Sequence, residues 1–331
     1  MSEPDDLKSG DLKTGDSAER FALVDGWKNL TPDQKGASVA LGAFDGVHGG
    51  HRQVIAEAAK AARTLGAPLG VIRFSPHPAQ VMRPGAEPFL LMNPGQQSRA
   101  LADLGVDLLY DIAFDEKLHQ LSDEAFARLV LSEGLGVRHV SAGFDITFGK
   151  GRTGDAHSLR QLGQTLGFGV TIVDPVSDAD GGKVSSSSAR TAVQSGDVER
   201  AAQILGRPFA IEGVVVVGQQ LGRKLGFPTA NVELEDYVRP RLGSYATRTR
   251  LPDGRLMPGV ANIGENPTTG VVKARLEVWL FDFDEDLYGQ VIETELVAFL
   301  RPEMKFDSLD ALIAQIGADA AKARALLLPA F

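Results

Sequence analysis

The sequence predicts a chain of two parts, an α/β domain with a parallel sheet followed by a domain of antiparallel strands with a terminal helix. In the first half, strand-like apolar runs alternate with helical patterns, whereas the second half is a series of strand-like runs separated by short turns. The pattern changes between residues 196 and 208, which places a boundary near Leu205 and domains over 19–204 and 205–331. The polar, acidic residues 1–18 are predicted to form a disordered tail.

The first half contains five predicted strands, each an apolar run bounded by turns or charged residues. They cover residues 38–41, 69–74, 106–112, 137–142 and 168–173. Helical patterns occur at 51–65, from Ser122 onward and at 156–166. This alternation favours a parallel sheet covered on both faces. Ligands of such sheets bind beyond the carboxyl ends of the strands.

The second half contains a further series of predicted strands. They cover residues 209–217, 244–250, 259–263, 274–281 and 291–300. Turn residues such as Pro-Asp-Gly at 252–254 separate them, which predicts an antiparallel barrel or sandwich. A final helix is predicted over 307–328, with Asp307 or Ser308 as its N-cap. Its apolar stripe consists of Leu309, Leu312, Ile313 and Ile316.

The composition excludes several classes of function. The chain has no cysteine, which excludes disulfides, zinc held by Cys and a Cys nucleophile. Its net charge of −9 argues against a broad nucleic-acid-binding surface. No apolar run is long enough to cross a bilayer, and residues 1–17 lack the pattern of a secretory signal. We therefore expect a cytoplasmic protein without a nucleic-acid or membrane partner, and self-association stays open.

The segment GAFDGVHGGH (residues 42–51) lies between a predicted strand and a predicted helix. Its glycines allow close approach of the backbone, and the first turn of the helix offers N–H groups and a positive dipole end to a phosphate. His48 and His51 lie at that end, where ring N–H groups would stabilise charge developing on a phosphoryl oxygen. The simpler interpretation is a Gly-rich turn with two incidental surface histidines. No third metal ligand accompanies the pair, which argues against a metal site.

A second glycine-rich segment, GQQLGRKLGFPTAN (residues 218–231), follows a strong predicted strand. Backbone N–H groups of such a loop can hold a phosphate. Thr229 and Asn231 place two oxygen ligands close together, which suits Mg²⁺ when ATP oxygens and water complete the coordination. An ordinary hairpin loop explains the same residues equally well on local grounds.

Glu277 lies in the predicted strand at 274–281. Strand alternation puts it on one face with Trp279 and Phe281. Burial between apolar neighbours is expected to raise the pKa of its carboxyl, which suits a general base. The alternative is a surface glutamate on an edge strand.

The first half resembles a known family of enzymes. GAFDGVHGGH resembles the His-x-Gly-His loop of nucleotidylyltransferases, in the form GxFDGVHxGH of the bacterial bifunctional riboflavin kinase/FMN adenylyltransferase (FAD synthetase) family. RFSPHP (73–78), GFDITFGKGRTGD (143–155) and VSSSSAR (184–190) resemble that family's TFEPHP, DFRFGKGRxGD and ISSTxxR. Together these matches imply a Rossmann-like nucleotidylyltransferase domain.

The resemblance implies roles for residues of the first half. The His-x-Gly-His loop and the Ser-Ser-x-x-Arg element would hold the ATP phosphates, with His48, His51 and Arg190 acting in catalysis. Lys150 and Arg152 would contact phosphate or FMN, although a solvated basic turn is also consistent with them. The remaining residues expected to bind nucleotide or flavin in these motifs are Gly42, Phe44, Asp45, Gly46, Gly50, Asp145, Ser186 and Ser187.

The first half also departs from the family pattern. Ala43 stands where the family usually has Asn, and Ser187 replaces Thr but keeps the hydroxyl. Ile146 and Thr147 replace the usual Phe-Arg, which removes an aromatic ring and a charge near the expected flavin site.

The second half matches the riboflavin kinase part of the same family. LGRKLGFPTAN (221–231) resembles its LGRxLGFPTAN motif, and matching strings continue to near the C-terminus. The resemblance implies a six-stranded barrel in which Thr229 and Asn231 hold MgATP and Glu277 deprotonates the ribityl 5′-hydroxyl. The motif residues expected to line the nucleotide site are Gly222, Arg223, Gly226, Phe227 and Pro228. Ser244 and Trp279 depart from the family pattern at flanking positions.

The resemblance therefore implies a bifunctional transferase with riboflavin, FMN, FAD and ATP as substrates and products and Mg²⁺ as cofactor. It would phosphorylate riboflavin in its second domain and adenylylate FMN in its first. The main alternative is a riboflavin kinase whose first domain only binds flavin or adenylylates weakly. A non-enzymatic flavin-responsive protein and a nucleotidylyltransferase for another phosphate ester are further alternatives.

Overall fold

The computed structural model of the chain describes residues 21–177, 181–218, 222, 225–266 and 273–327. The predicted tail 1–18 and Arg223 lie outside the described residues. The described chain forms two compact units. One contains the residues up to Gly42 with Ile55–Ser75 and Ser98–Ile172, and the other contains Ala43–Val54, Pro76–Gln97 and the residues from Val173 onward.

The first sheet has six strands in the order β1-β4-β3-β2-β5-β6 and is parallel, as predicted. Its strands are β1 Ala22–Asp25, β2 Ser38–Leu41, β3 Leu69–Ser75, β4 Leu108–Ala113, β5 His139–Gly143 and β6 Gly169–Val173. Every residue of β2 is buried, which is the pattern of a central strand covered on both faces. The sequence did not predict β1, because only Val24 of its four residues is buried.

Helices separate these strands and continue beyond the last of them. They are α1 Gly49–Leu65, α2 Pro78–Met82, α3 Pro94–Ala102, α4 Glu116–His119, α5 Asp123–Ala125 with a π-helical extension Phe126–Gly134, α6 Ala156–Leu166, α7 Ser186–Ser195, α8 Val198–Leu205 and α9 Leu309–Leu327. The predicted N-terminus at Ser122 is confirmed, because its side chain accepts a hydrogen bond from the Ala125 N–H. Helix α1 begins two residues earlier than predicted, at Gly49.

The second sheet is an antiparallel six-stranded barrel with the order β7-β12-β9-β10-β11-β8. Its strands are β7 Phe209–Val214, β8 Ala230–Glu233, β9 Gly243–Arg250, β10 Leu256–Asn266, β11 Lys273–Leu280 and β12 Val291–Pro302. A bridge between Val216 and Asn231 brings the chain after β7 beside β8, so the two end strands of the sheet meet. The predicted fold class is thereby confirmed for both halves.

The terminal helix α9 packs on the barrel strands β9, β10 and β12. Its buried side chains, including Ala320, Ala323 and Leu327, share a core cluster with Ala246 and Phe281. The Ser308 side chain accepts a hydrogen bond from the Ala311 N–H, so Ser308 rather than Asp307 caps the helix. The predicted stripe is wrong at Leu309, which is 51% exposed because the helix buries its later turns.

No helix in the part of the chain that the structure describes is long and apolar enough to cross a membrane.

Candidate functional sites

The loop between β2 and α1 has an unusual backbone. Phe44 and Val47 have positive φ angles of 53° and 42°, which non-glycine residues seldom adopt, and Gly46 lies at 86°. A Cβ atom on Gly46 would lie 2.8 Å from Leu91 Cδ1 and 3.0 Å from Leu205 Cδ2. Gly46 is therefore required by packing of the protein itself. Sequence reasoning had assigned its close approach to a phosphate.

His48 and His51 stack on one another at the start of α1. Their ring centroids are 3.7 Å apart, and the His51 backbone N–H donates to His48 Nδ1 over 3.4 Å. Burial, together with the nearby His48 and Arg190, lowers the pKa of His51 well below its usual value. The ring Nδ1 of His51 is buried and has no hydrogen-bond partner among the described residues. His48 is thus buried, His51 is half-buried with its Nδ1 inside the protein, and His51 is neutral at physiological pH.

Arg190 lies beside these histidines and is held at two points. Its Nη2 donates to Asp45 Oδ2 over 2.6 Å, and its Nε donates to the Phe89 carbonyl over 2.7 Å. The guanidinium carbon lies 5.1 Å from the centre of the Phe89 ring. Asp45 Oδ1 accepts the backbone N–H groups of Leu91 and Met92 at 2.9 and 3.3 Å. The carboxylate of Asp45 is therefore fully engaged with protein groups.

The N-termini of α1 and α7 lie next to each other. A Cβ atom on Gly49 would lie 3.5 Å from the Val184 side chain, and one on Gly50 would lie 3.6 Å from the Val184 carbonyl oxygen. The Ser186 hydroxyl donates to the Asp45 carbonyl over 2.9 Å, which joins the start of α7 to the loop before α1. Two helix N-termini thus face the same region with backbone N–H groups and positive dipole ends, which is a suitable arrangement for a polyphosphate.

The serine run at 185–188 starts helix α7. Ser185 is the N-cap, and its side chain accepts from the Ser188 N–H in a capping box. Ser187 is exposed in the first turn, where its hydroxyl can contact a ligand. The serine run is therefore a helix cap that also presents a hydroxyl at the start of α7.

Two aromatic side chains that sequence reasoning did not single out complete the cluster. The His77 ring packs edge-on against Phe89 with centroids 5.0 Å apart, and its Nδ1 accepts from the Ala79 N–H over 3.1 Å. Burial and the Arg190 charge lower the pKa of His77 to about 4, so this ring is neutral. The signal for His77 was present in the Ser-Pro-His-Pro string at residues 75–78. Nothing in the local pattern marks Phe89.

Gly42, Asp145, Lys150 and Arg152 belong to the other compact unit. The last three are exposed, and Asp145 Oδ1 lies 3.3 Å from the position of a Cβ on Gly143. The departure at Ile146 keeps an apolar side chain that packs against the core of this unit. The structure therefore groups His48, His51, Arg190, Ser186 and Asp45 in one unit and leaves the predicted FGKGR loop contacts in the other.

Glu277 occupies the centre of a row of polar residues on neighbouring barrel strands. It pairs in register with Asn231 of β8 on one side and with Asn262 of β10 on the other, and Asn262 pairs with Ser244 of β9. Because β11 has a strand on each side, the edge-strand alternative for Glu277 is wrong. Burial raises the pKa of the Glu277 carboxyl, with Arg275 acting in the opposite direction, so the predicted shift is confirmed.

Two cavities lie on either side of Thr229, which lines both. One of about 270 Å³ is lined by residues that include Pro228, Asn231, Leu280, Phe283 and Tyr288. The other, of about 330 Å³, is lined by residues that include Phe227, Asn262, Glu277, Trp279 and Arg301. The two cavities give space for two substrates that meet near Thr229, with the Glu277 carboxylate on one side.

The glycine-rich loop before Thr229 is held by its own backbone. The Gly222 carbonyl accepts the N–H groups of Leu225 and Phe227 at 3.0 and 2.8 Å, and Gly226 has a φ of 87°. The Phe227 ring packs edge-on against Trp279 with centroids 4.9 Å apart. The loop thus connects the two cavities to the strand that carries Glu277.

Asn231 has one side-chain atom available for a ligand. Its Nδ2 donates to the Thr229 carbonyl over 3.3 Å, and a Cβ atom on Gly218 would lie 2.6 Å from both Oδ1 and Nδ2. Gly218 therefore leaves room for this amide. In the part of the chain that the structure describes, no group of three His, Cys, Asp or Glu side chains could hold a metal ion. Thr229 and Asn231, which line the same cavity, are the candidate protein ligands for a metal here.

Comparison with known protein families finds one match in each half of the chain. Residues 30–188 match the model of the FAD synthetase family, and residues 205–327 match the model of the riboflavin kinase family. The first match includes His48 and His51 and ends at residue 188, two residues before Arg190. The second match includes Thr229, Asn231 and Glu277.

Individual relatives match over nearly the whole chain. The bifunctional riboflavin kinase/FMN adenylyltransferase of Pseudomonas fluorescens is 42% identical over 93% of this chain and 98% of its own length. The enzyme of the same name from Escherichia coli K12 is 38% identical over 91% and 96%. A crystal structure from Streptococcus pneumoniae, titled as a macrolide-efflux protein, is 32% identical with a TM-score of 0.80 over 92% of this chain and 99% of that one. The chain belongs to the family of bifunctional riboflavin kinase/FMN adenylyltransferases.

Proposed function

We propose that this chain phosphorylates riboflavin to FMN and then adenylylates FMN to FAD, with ATP as co-substrate of both steps. The observation that carries the proposal is the presence of two separate chemical sites in one chain. One is the cluster of histidines and Arg190 at two helix N-termini. The other is the pair of cavities beside Glu277. The name of the relatives describes the same two activities.

In the kinase step, Glu277 would act as the general base. Its carboxylate lines one cavity, and its raised pKa makes it a better proton acceptor than an ordinary glutamate. It would take the proton from the 5′-hydroxyl of the ribityl chain as that oxygen attacks the γ-phosphorus of ATP and displaces ADP. The loop that contains Gly222, Gly226 and Pro228 would border the nucleotide, with Thr229 between donor and acceptor.

Thr229 Oγ1 and Asn231 Oδ1 fit a Mg²⁺ ion that binds together with ATP. Two neutral oxygens suit a cation that keeps several waters and takes phosphate oxygens as its other ligands. The ion would neutralise charge on the ATP phosphates. The protein's own part would be to orient the triphosphate towards the ribityl hydroxyl.

In the adenylylation step, the protein would act through position and charge. The FMN phosphate would attack the α-phosphorus of ATP and displace pyrophosphate. His48, His51 and the Ser187 hydroxyl would donate hydrogen bonds to the phosphates, and Arg190 would supply a permanent positive charge. The Ser186 hydroxyl already donates to the Asp45 carbonyl, so Ser186 would contribute by joining the start of α7 to the histidine loop. Because His51 is neutral, it can donate a hydrogen bond to a phosphate but cannot supply a positive charge. Asp145, Lys150 and Arg152 remain proposed contacts of FMN or phosphate.

The alternatives from the sequence receive less support. A protein that is only a riboflavin kinase leaves the FAD synthetase match over residues 30–188 without a function. A nucleotidylyltransferase for another phosphate ester leaves the riboflavin kinase match over residues 205–327 unexplained. The cytoplasmic location, the domain limits 19–204 and 205–331, and any self-association remain predictions.

Product analysis tests the proposed function. The purified chain would be incubated with Mg²⁺ and ATP and either riboflavin or FMN, and the flavins would be separated by chromatography. We expect FMN and then FAD from riboflavin, and FAD from FMN. Formation of FMN without FAD from either substrate would refute the adenylylation step, and the absence of both products would refute the whole proposal.

A further inference from the structure

Asp45 does not contact the solvent region where a nucleotide would bind. Its side chain is 4% exposed, whereas the side chain of its partner Arg190 is 21% exposed. Both carboxylate oxygens have protein donors, namely the Leu91 and Met92 N–H groups on Oδ1 and Arg190 Nη2 on Oδ2. A role for Asp45 must therefore act through the groups that it holds.

The guanidinium of Arg190 is fixed in orientation by two hydrogen bonds from different nitrogens. Nη2 binds Asp45 and Nε binds the Phe89 carbonyl, and the Phe89 ring lies under the guanidinium carbon. Because the guanidinium is planar, two such contacts determine the plane in which its other N–H groups point. Loss of the Asp45 contact would leave one anchor and permit rotation about it.

Asp45 also joins three segments that are distant in sequence. It lies three residues before His48, its carbonyl accepts the Ser186 hydroxyl at the start of α7, and its side chain holds the backbone at Leu91 and Met92. The pair with Arg190 spans 145 positions of the chain. One residue thus ties together the histidine loop, the Arg190 helix and the segment that packs under Arg190.

We propose that Asp45 is a positioning residue for adenylylation, which holds Arg190 in the orientation that stabilises the transferring phosphates without itself contacting nucleotide. The inference rests on the proposed function of Arg190. Its physical basis is preorganisation, because a donor that is already oriented stabilises developing charge without the cost of reorienting during the reaction. The buried carboxylate also offsets the positive charge that Arg190 brings beside the neutral His51 and His77.

The Asp45→Asn variant separates the contact with Arg190 from the contacts with the backbone. The amide oxygen can still accept the Leu91 and Met92 N–H groups, but the amide nitrogen cannot accept from Arg190. We expect the rate of FAD formation from FMN to fall about fivefold or more, while FMN formation from riboflavin by the same sample stays unchanged. The second activity measures the folded fraction, so a loss confined to adenylylation is not a loss of folded protein.

A double-mutant cycle tests whether Asp45 acts through Arg190. In an Arg190→Ala background, the Asp45→Asn change should lower the adenylylation rate by less than about twofold, because the group that Asp45 positions is already absent. The proposal would be overturned if the fold-loss of the double variant equalled the product of the fold-losses of the two single variants. It would also be overturned if the adenylylation rate of Asp45→Asn stayed within about fivefold of wild type. Wild-type formation of FAD tests the proposed function independently, so the two failures are distinguishable.

The matched control is Asp111→Asn. Asp111 forms another partly buried aspartate–arginine pair, with Arg73, and has no place in the proposed site. The Asp111→Asn variant should adenylylate FMN near the wild-type rate. A loss of adenylylation equal to that of Asp45→Asn would overturn the proposal, because the effect would then follow from the loss of any such ion pair.

If Asp45→Asn does not fold, Arg190→Lys replaces it. Lysine keeps the charge but cannot make both contacts, so wild-type activity of that variant would overturn the proposal.

Discussion

Glu277 combines a half-buried position with the need to ionise for the proposed chemistry. Burial raises its pKa above the ordinary glutamate value of 4.5. Since only the carboxylate accepts a proton, kcat/KM for riboflavin phosphorylation should rise with pH through this raised pKa and level off above it. Adenylylation of FMN by the same chain is the control, because Glu277 has no part in that step. A phosphorylation rate that is constant down to about pH 4.5 would contradict the assignment.

The same shift predicts how Glu277 affects stability. A raised carboxyl pKa means that the folded chain binds the proton more tightly than the unfolded chain, so this contribution to stability is present below the unfolded pKa and is lost as pH rises through the folded pKa. Glu277→Gln removes the titration. We expect the free energy of unfolding of the variant, relative to wild type, to increase between about pH 4 and about pH 8 in urea titrations. A relative stability that falls with pH would refute the shift.

At the residue level, the sequence was sufficient to identify the titrating groups, but it did not show which of them contact one another in the fold. The alternation around Glu277 predicted its raised pKa, and the His-x-Gly-His string predicted two histidines at a helix start. The contact between Asp45 and Arg190 depends on the folding of distant segments together, so no local pattern predicts it. Asp45 was therefore assigned to nucleotide binding from its motif, although its carboxylate is engaged within the protein.

The segment from Phe89 to Gln97 was not predicted from the sequence and is held by hydrogen bonds to the barrel part of the chain. Leu90 forms a parallel bridge with Tyr237, and its N–H and carbonyl bond to Asp236 and Val238. Further along, the side chain of Gln96 is buried, with 4% of the residue exposed. Its Oε1 accepts a hydrogen bond from the Tyr237 hydroxyl, and its Nε2 donates to Glu293 and to the Ala210 carbonyl. This segment has no apolar periodicity of its own, because its backbone and side-chain hydrogen bonds are made to other parts of the chain.

Replacement of Gln96 by Leu tests the contribution of this element. The change leaves Tyr237 and Glu293 without their buried partner, so we expect a loss of about 2–4 kcal/mol in the free energy of unfolding measured in urea. Gln161→Leu on the exposed side of α6 is the control, with an expected change within about 0.5 kcal/mol. Equal effects of the two substitutions would show that the segment is not held by Gln96.

Elements were predictable where their residues form a continuous buried run. The four residues of β2 are all buried and the strand was found, whereas β1 buries one residue of four and β8 buries two. Helix α7 is not among the predicted helices, and the capping geometry of Ser185 defines its start.

For the whole molecule, the change from alternating strands and helices to antiparallel strands was sufficient for the fold class. The sequence boundary near Leu205 falls at the end of α8, immediately before β7. The grouping of Ala43–Val54 and Pro76–Gln97 with the later part of the chain was not predictable, because it depends on contacts such as Gln96 with Glu293. Sequence order and spatial grouping therefore differ at the segment that carries His48 and His51.

The central claim, that one chain carries two independent ATP-dependent steps, is tested most directly by the Glu277→Gln variant supplied in parallel with riboflavin and with FMN. With Mg²⁺ and ATP, chromatography of the products should show FMN formation from riboflavin reduced by about 100-fold or more, and FAD formation from FMN at the wild-type rate. Unchanged phosphorylation of riboflavin would contradict the role of Glu277. Loss of both activities in a folded variant would contradict the assignment of the two steps to separate sites.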